Sequence, residues 1–253
     1  MSLPIHIAAL DLSLARTGWA SVRVMEDGIE LDHGALPTTA VPPGSPDYYP
    51  LTLARIRRLI DRILEEIMVH DHGNEALYIA IEAASYGTSR EKAAQADARA
   101  GLRWMVYNHL EPVADVVVLI PPASLKLYVT GKGRADKRAI IEAIRAAFPD
   151  RWITDDNEAD AIGLAAMVAR KMGYPIDAFE QPWHSTALRG MTWPDALPTR
   201  TGTSAYELDG LEAMPEGCDH EWEWSNFQNL VPGGQECRLC GATRIIELEV
   251  DHG

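Results

Sequence analysis

The sequence predicts an α/β domain built on a mixed sheet with helices on both faces, followed by a small cysteine-bearing module. Three observations point to it. Strand-length and helical apolar patterns follow one another in β-β-β-α-β-α-β-α order up to about Lys171. The 253 residues are 47% hydrophobic, enough for one substantial core and a small second module. Cys218, Cys237 and Cys240 are the only cysteines, and the last two form a Cys-x-x-Cys pair.

Each element has a local signature. "IHIAALD" is a run of small and aliphatic residues that reads as a buried strand and places Asp11 on it. "GWASVRVMEDGIELDHGALP" reads as two further strands joined at Glu26-Asp27-Gly28, where Asp-Gly suits the positive φ of a hairpin turn. After the Pro/Gly/Ser loop "TTAVPPGSPDYYP", Leu53, Ile56, Leu59, Ile60, Ile63, Leu64 and Ile67 recur at helical spacing with arginines and glutamates largely between them. "ALYIAIEAAS" returns to strand character and carries Glu82. "TSREKAAQADARAGLRWMVYNHL" predicts a helix capped by Thr88 or Ser89. "ADVVVLIPP" is a fifth strand stopped by Pro121 and Pro122. Short helices are expected at 124–129 and 136–147, and a last core helix from about Asp156 to Lys171.

The boundaries follow from composition. Residues 1–172 form the α/β domain, 173–213 a Pro- and Trp-bearing, extended and partly packed linker without a clear period, and 214–253 the cysteine module. No apolar run approaches the roughly 18 residues that span a bilayer, and the start lacks the basic and apolar regions of a signal peptide. With so few cysteines, the expected location is the cytoplasm.

A formal charge of −14 argues against nucleic acid until its distribution is considered. Residues 201–253 hold eleven acids and two bases, whereas residues 126–145 hold six bases (Lys126, Lys132, Arg134, Lys137, Arg138, Arg145) and two acids. The first is an acidic tail. The second is a phosphate-facing patch or a solvated helix face, and charge alone does not choose.

Three acids share a position type: Asp11 on the first strand, Glu82 ending the fourth, and Asp160 one turn into the last helix. Charges on buried strands are costly unless paired or metal-bound, and each one alone suits an ion pair or a helix cap. Together they suit an acidic cluster for hard divalent cations. Two such cations roughly 4 Å apart cleave phosphodiesters by activating water and stabilising the leaving oxygen.

"ALDLSLARTGWA" resembles the first motif of RuvC-type Holliday junction resolvases, a branch of the ribonuclease H-like fold. "IAIEAASYG" is similar to the family's second motif, "AQADARAGL" to the helix after it, "PPASLKLYVTGKGRADKRAI" to the lysine-bearing segment, and "NEADAIGLA" to the closing helix. The resemblance covers residues 5–171 in order. It implies a ribonuclease H-like fold and a metal-dependent endonuclease that resolves four-way DNA junctions by paired nicks. It implies that Asp11, Glu82 and Asp160 bind Mg²⁺ or Mn²⁺, two ions per site, and that Lys126 and Lys137, eleven apart, neutralise phosphate charge.

The sequence departs from the family at the fourth ligand, where Asn157 stands three residues before Asp160. An amide oxygen can ligate a hard cation but cannot act as a base, so Asn157, Asp156 and Glu158 are all candidates, with Asp156 favoured. Lys132, Arg134 and Arg138 are candidate DNA contacts. Tyr86 is another, aligned with a loop that presents an aromatic to unstacked bases, although a packing role suits it equally. The resemblance further implies a homodimer matching the junction's two-fold symmetry, with the Ala-rich helix from Gln95 to Leu110 as its expected interface. That helix face equally suits packing on the chain's own sheet.

Cys218-Asp-His220 and Cys237-x-x-Cys240, sixteen residues apart, have the spacing of a closed structural Zn²⁺ site and resemble a zinc ribbon. Acids around them suggest a protein partner rather than DNA, and the added module suggests a phage or mobile-element version by analogy. Three other readings compete. A sugar or acid kinase needs a second lobe that the chain lacks. A metal nuclease for flaps, forks or single strands, and a non-catalytic DNA-structure-binding protein, remain as alternatives.

Overall fold

Strand β1 (Ile5–Asp11), buried at every position, is the centre of the sheet. The computed structural model describes residues 4–26, 28–42, 44–69, 75–83, 93–177 and 180–198, and the strands 222–224, 234–237 and 243–245. The chain divides into two units, Met1–Arg200 and Thr201–Gly253.

In the first unit, β2 (Arg16–Val24) runs antiparallel to β1, and β3 (Ile29–Pro37) antiparallel to β2. On the other side β4 (Ala76–Glu82) is parallel to β1, and β5 (Val116–Ile120) is parallel to β4. The order is β3-β2-β1-β4-β5. This mixed five-stranded sheet with helices on both faces fits a ribonuclease H-like fold.

Side chains alternate across a strand, so each central strand feeds two cores. Ala8, Leu10, Leu77, Ile79 and Ile81 pack against Leu59 and Ile63 of α1 (Tyr48–Val69) and against Leu102, Val106 and Leu110 of α2 (Ala93–Leu110). Ile7, Ala9, Tyr78, Ala80, Val118 and Ile120 face α3 (Pro122–Thr130), α4 (Lys137–Ala147) and α5 (Asp156–Met172). Helix α5 is buried on nearly all sides over Ala159–Ala169, so its sequence is small and apolar rather than amphipathic. Asp155 and Glu158 form a capping box at its start, and Gly173 with φ 90° ends it.

Two helices start earlier than periodicity suggests. Helix α1 begins at Tyr48, and α3 begins at Pro122, where the fixed φ of proline suits the first helical turn. The segment after Gly173, read from sequence as a linker, contributes α6 (His184–Arg189) on α3, with Ala187 and Leu197 buried. Six helical residues span fewer than two turns, so no period marks them.

The second unit contains an antiparallel sheet of β6 (Trp222–Trp224), β7 (Gly234–Cys237) and β8 (Thr243–Ile245), in that order. Cys237 ends β7 opposite Trp222, while Cys218, His220 and Cys240 lie outside the described residues, as do Tyr86 and the caps Thr88 and Ser89. Among the described residues, no helix is long and apolar enough to cross a membrane.

Candidate active site

Strand parity brings the first two carboxyls together. Asp11 follows Ile7 and Ala9 at a two-residue interval, and Glu82 follows Tyr78 and Ala80, so both side chains leave the sheet on the α5 face. In the β1–β4 register Leu10 stands opposite Ile81, which sets Asp11 beside Glu82 at the ends of two parallel strands. The two carboxyls are hydrogen-bonded to each other, and both are pushed up from the ordinary carboxylate range.

Helix α5 adds the third. Its first turn is fastened to the neighbouring strands: Arg16 Nε of β2 pairs with Asp155 Oδ2 at 2.8 Å, and His33 Nδ1 of β3 lies 2.7 Å from Glu158 Oε1. One turn further, Asp160 enters the field of Asp11 and Glu82. Asp160 Oδ1 is buried and has no hydrogen-bond partner.

Burial and repulsion set the protonation of this cluster. Loss of solvent, then the neighbouring Glu82 carboxylate, pushes Asp11 up to about 8. Burial, then Asp11 and Asp156, pushes Asp160 up to about 7. Glu82 is raised by burial and by Asp160. Carboxyls that cannot all ionise together are what a bound cation would relieve.

Cations surround the cluster. Lys137, the first residue of α4, hydrogen-bonds Asp156 Oδ2, which raises the lysine's own pKa. Lys126 of α3 acts favourably on Glu82 and Asp160, and Lys137 on Asp11 and Asp160. Arg103 of α2 also stabilises ionised Glu82, and its Nε is buried without a hydrogen-bond partner. Sequence reading missed Arg103 because it sits with Asp97, Arg99 and His109 on an ordinary mixed helix, with no spacing that sets it apart.

The helix carrying Lys126 is braced from behind. Trp183 Nε1 donates to Tyr128 O at 3.0 Å, and the His184 ring stacks on Tyr128 with centroids 4.2 Å apart. Arg170 Nε donates to the Tyr128 hydroxyl, which donates to Asp177, and Arg170 pairs with Asp177 at 2.6 Å. Gly131 ends α3 at φ 74°, a conformation that favours glycine.

The remaining candidates separate. Asp156 joins the cluster through Asp11, Asp160 and Lys137. Glu158 is turned to His33 and to the backbone N–H of Thr154, and the Asn157 amide donates to Asp155 Oδ1, so neither is brought to Asp160. Lys132 and Arg134 are exposed on the α3–α4 loop, and Arg138 is exposed on α4 with Glu142 at 2.7 Å.

Among the described residues, no three Asp, Glu, His or Cys side chains stand in a ready metal-coordinating geometry. The Asp11–Glu82 hydrogen bond and the Lys137 contact to Asp156 engage carboxyl oxygens of this cluster. The donor set is nonetheless all-oxygen, crowded, and includes an orphaned buried Asp160 oxygen, which fits a hard divalent cation.

No protein-family model and no curated protein matches the chain. Among solved structures it is similar to Thermus thermophilus RuvC, at 20% identity and TM-score 0.47 over 68% of this chain and 99% of that one. It is similar to T. thermophilus RuvC in complex with a Holliday junction substrate, at 17% identity and TM-score 0.47 over the same shares, 68% and 99%. It is also similar to the yeast mitochondrial Holliday junction resolvase Ydc2, at 11% identity and TM-score 0.40 over 64% of this chain and 76% of that one.

Proposed function

We propose that the chain is a metal-dependent endonuclease acting on branched DNA, a four-way junction above all. The observation that carries this reading is the meeting of Asp11, Glu82 and Asp160, from β1, β4 and α5, beside Lys126 and Lys137. Asp11, Glu82 and Asp160 would hold Mg²⁺ or Mn²⁺, with Asp156 as the fourth ligand once Lys137 moves off it. The ions, when bound, supply an activated water and positive charge at the scissile phosphodiester.

The chain's own residues do the rest. Lys126 and Lys137 neutralise the scissile and flanking phosphates, and Lys132, Arg134 and Arg138 track the backbone. Burial keeps competing water from the Asp11–Glu82 pair, and the brace on Tyr128 holds Lys126 against the cluster. The reading also includes a homodimer, supported by α2, whose outward face carries Trp104 (73% exposed) and Tyr107.

The test is cleavage of end-labelled four-way junction, fork and linear duplex with Mg²⁺ or Mn²⁺, with Asp11→Asn as control. Paired nicks in the junction that vanish in the variant are expected. Equal cutting of forks or duplex removes the junction preference, and cutting that survives Asp11→Asn removes the site.

A further inference from the structure

Helix α5 supplies two of the proposed ligands, and a contact on its far side fixes its rotation. At about 100° per residue, Asp156 and Asp160 lie about 40° apart on the helix, and Glu158, midway between them in sequence, lies about 160° from each. Asp160 enters the field of Asp11 and Glu82, on β1 and β4. Glu158 meets His33 of β3, the strand at the opposite edge of the sheet.

The contact is buried and complete. His33 stands in one row with Ala9 and Ala20 across β1, β2 and β3, on the face that α5 covers. The two alanines leave room for the helix, and the imidazole at the end of the row reaches it. His33 Nδ1 donates to Glu158 Oε1 at 2.7 Å, and each of the two side chains is only 10% exposed. Glu158 Oε2 accepts from the N–H groups of Thr154 and Asp155 at 3.1 and 3.4 Å. Both carboxyl oxygens are engaged, which offsets the cost of burying them and keeps Glu158 from the cluster.

The other fastenings of this turn lie on β2. Arg16 pairs with Asp155 at 2.8 Å, and the backbone at Asn157 rests on Gly18. A helix held along one strand still rolls about that line, and a hold on the next strand removes the roll. Small rolls matter here. A roll of about 20° moves an atom about 6 Å from the helix axis by about 2 Å, which is the length of a Mg²⁺–oxygen bond.

We propose that His33 is a positioning residue for the metal site: by holding Glu158 on β3, it fixes the roll of α5 at which Asp156 and Asp160 face Asp11 and Glu82. The proposal rests on the metal-site reading above and adds the contact that orients it. His33 touches neither the cations nor DNA and acts through Glu158. The contact bears on the departure at position 157, because the roll decides which of Asp156, Asn157 and Glu158 is presented beside Asp160.

The test is Mn²⁺ binding to the full chain without DNA, followed by electron paramagnetic resonance and counting only the sites lost in Asp11→Asn. His33→Ala is expected to weaken these sites about tenfold or more, the scale for removing a group that orients a ligand. His33→Asn places an amide N–H close to the position of Nδ1 and is expected to return the affinity to within about threefold of the unaltered protein. His33→Phe fills the same space without a donor; it is expected to behave like His33→Ala and tests the contact even where the alanine variant does not fold. Glu158→Ala is expected to weaken the sites as His33→Ala does, and the double variant to bind within about twofold of Glu158→Ala, as for two residues acting as one unit. Circular dichroism at the titration temperature checks that each variant is folded. Metal-free urea unfolding reads the loss of stability, which a merely structural histidine would show without a change in Mn²⁺ affinity. Unchanged affinity in the folded His33 variants overturns the proposal and leaves the metal-site reading intact. Full additivity in the double variant also overturns it, because His33 would then act without Glu158. Absence from the unaltered protein of any Mn²⁺ site sensitive to Asp11→Asn overturns the metal-site reading and this contact together.

Discussion

A Cβ placed on Gly18 would lie 1.9 Å from the carbonyl oxygen of Asn157, so the first turn of α5 rests directly on the backbone of β2. Gly18 stands opposite Asp11 in the β1–β2 register, and this close approach is what lets Asp160 reach the strand ends. Gly18→Ala therefore has no small adjustment open to it, because the obstructing atoms are main chain. The variant is expected to lose about 3 kcal/mol or more in urea unfolding. It is also expected to lose the thermal shift produced by Mg²⁺, although no carboxyl is altered. Retention of both would mean that α5 has room to retreat from the sheet.

The carboxyl cluster predicts an unusual pH response. Asp11 and Asp160, pushed up to about 8 and about 7, hold protons in the folded state that the unfolded chain has released near pH 4. The folded state binds more protons across that interval, so metal-free stability is expected to fall as pH rises from about 4 to about 8. Divalent cations need the ionised carboxylates, so their stabilising effect grows over the same interval. Asp160→Asn is expected to melt a few degrees higher than the unaltered protein at pH 8 without metal, and to show no Mg²⁺ shift. Melting curves at pH 5 and pH 8, with and without Mg²⁺, check both signs; a metal-free stability that rises with pH would contradict the burial of these acids.

Lys137 is paired with Asp156 yet 77% exposed, a combination that contributes little to stability. Lys137→Met is expected to leave the unfolding free energy within about 0.5 kcal/mol and to slow single-turnover cleavage about a hundredfold, the scale set by removing one positioned charge from a developing anion. A rate within threefold would assign Lys137 to the solvated surface.

Helix α2 buries Leu102, Val106 and Leu110 and exposes Trp104 and Tyr107. Ala98, one of the small residues that make this helix a candidate interface, is buried, whereas Ala96 and Ala100 are exposed, so the outward face carries both small and aromatic residues. Trp104→Glu is expected to halve the mass measured by light scattering at micromolar concentration, with helix content unchanged. A monomeric unaltered protein would remove α2 as an interface.

The sequence by itself determined the order of the elements from β1 to α5, because a buried strand, an amphipathic helix and a proline stop are each written within a few residues. It also placed Asp11, Glu82 and Asp160 at element ends, where a carboxyl interrupts an apolar run. Only the tertiary structure decided how these groups meet. Strands β1 and β4 are buried on both faces, so no polar alternation reveals that Asp11 and Glu82 leave the sheet toward α5; that follows from the parallel register and from which face α5 covers. Likewise Asp156, Asn157 and Glu158 are successive residues about 100° apart on a helix, and the rotation of α5 sent Asp156 to Lys137 and Glu158 to His33. Arg103 and the brace from Asp177, Trp183 and His184 have no local signature at all. Their partners lie many residues away in sequence, and only packing brings them together.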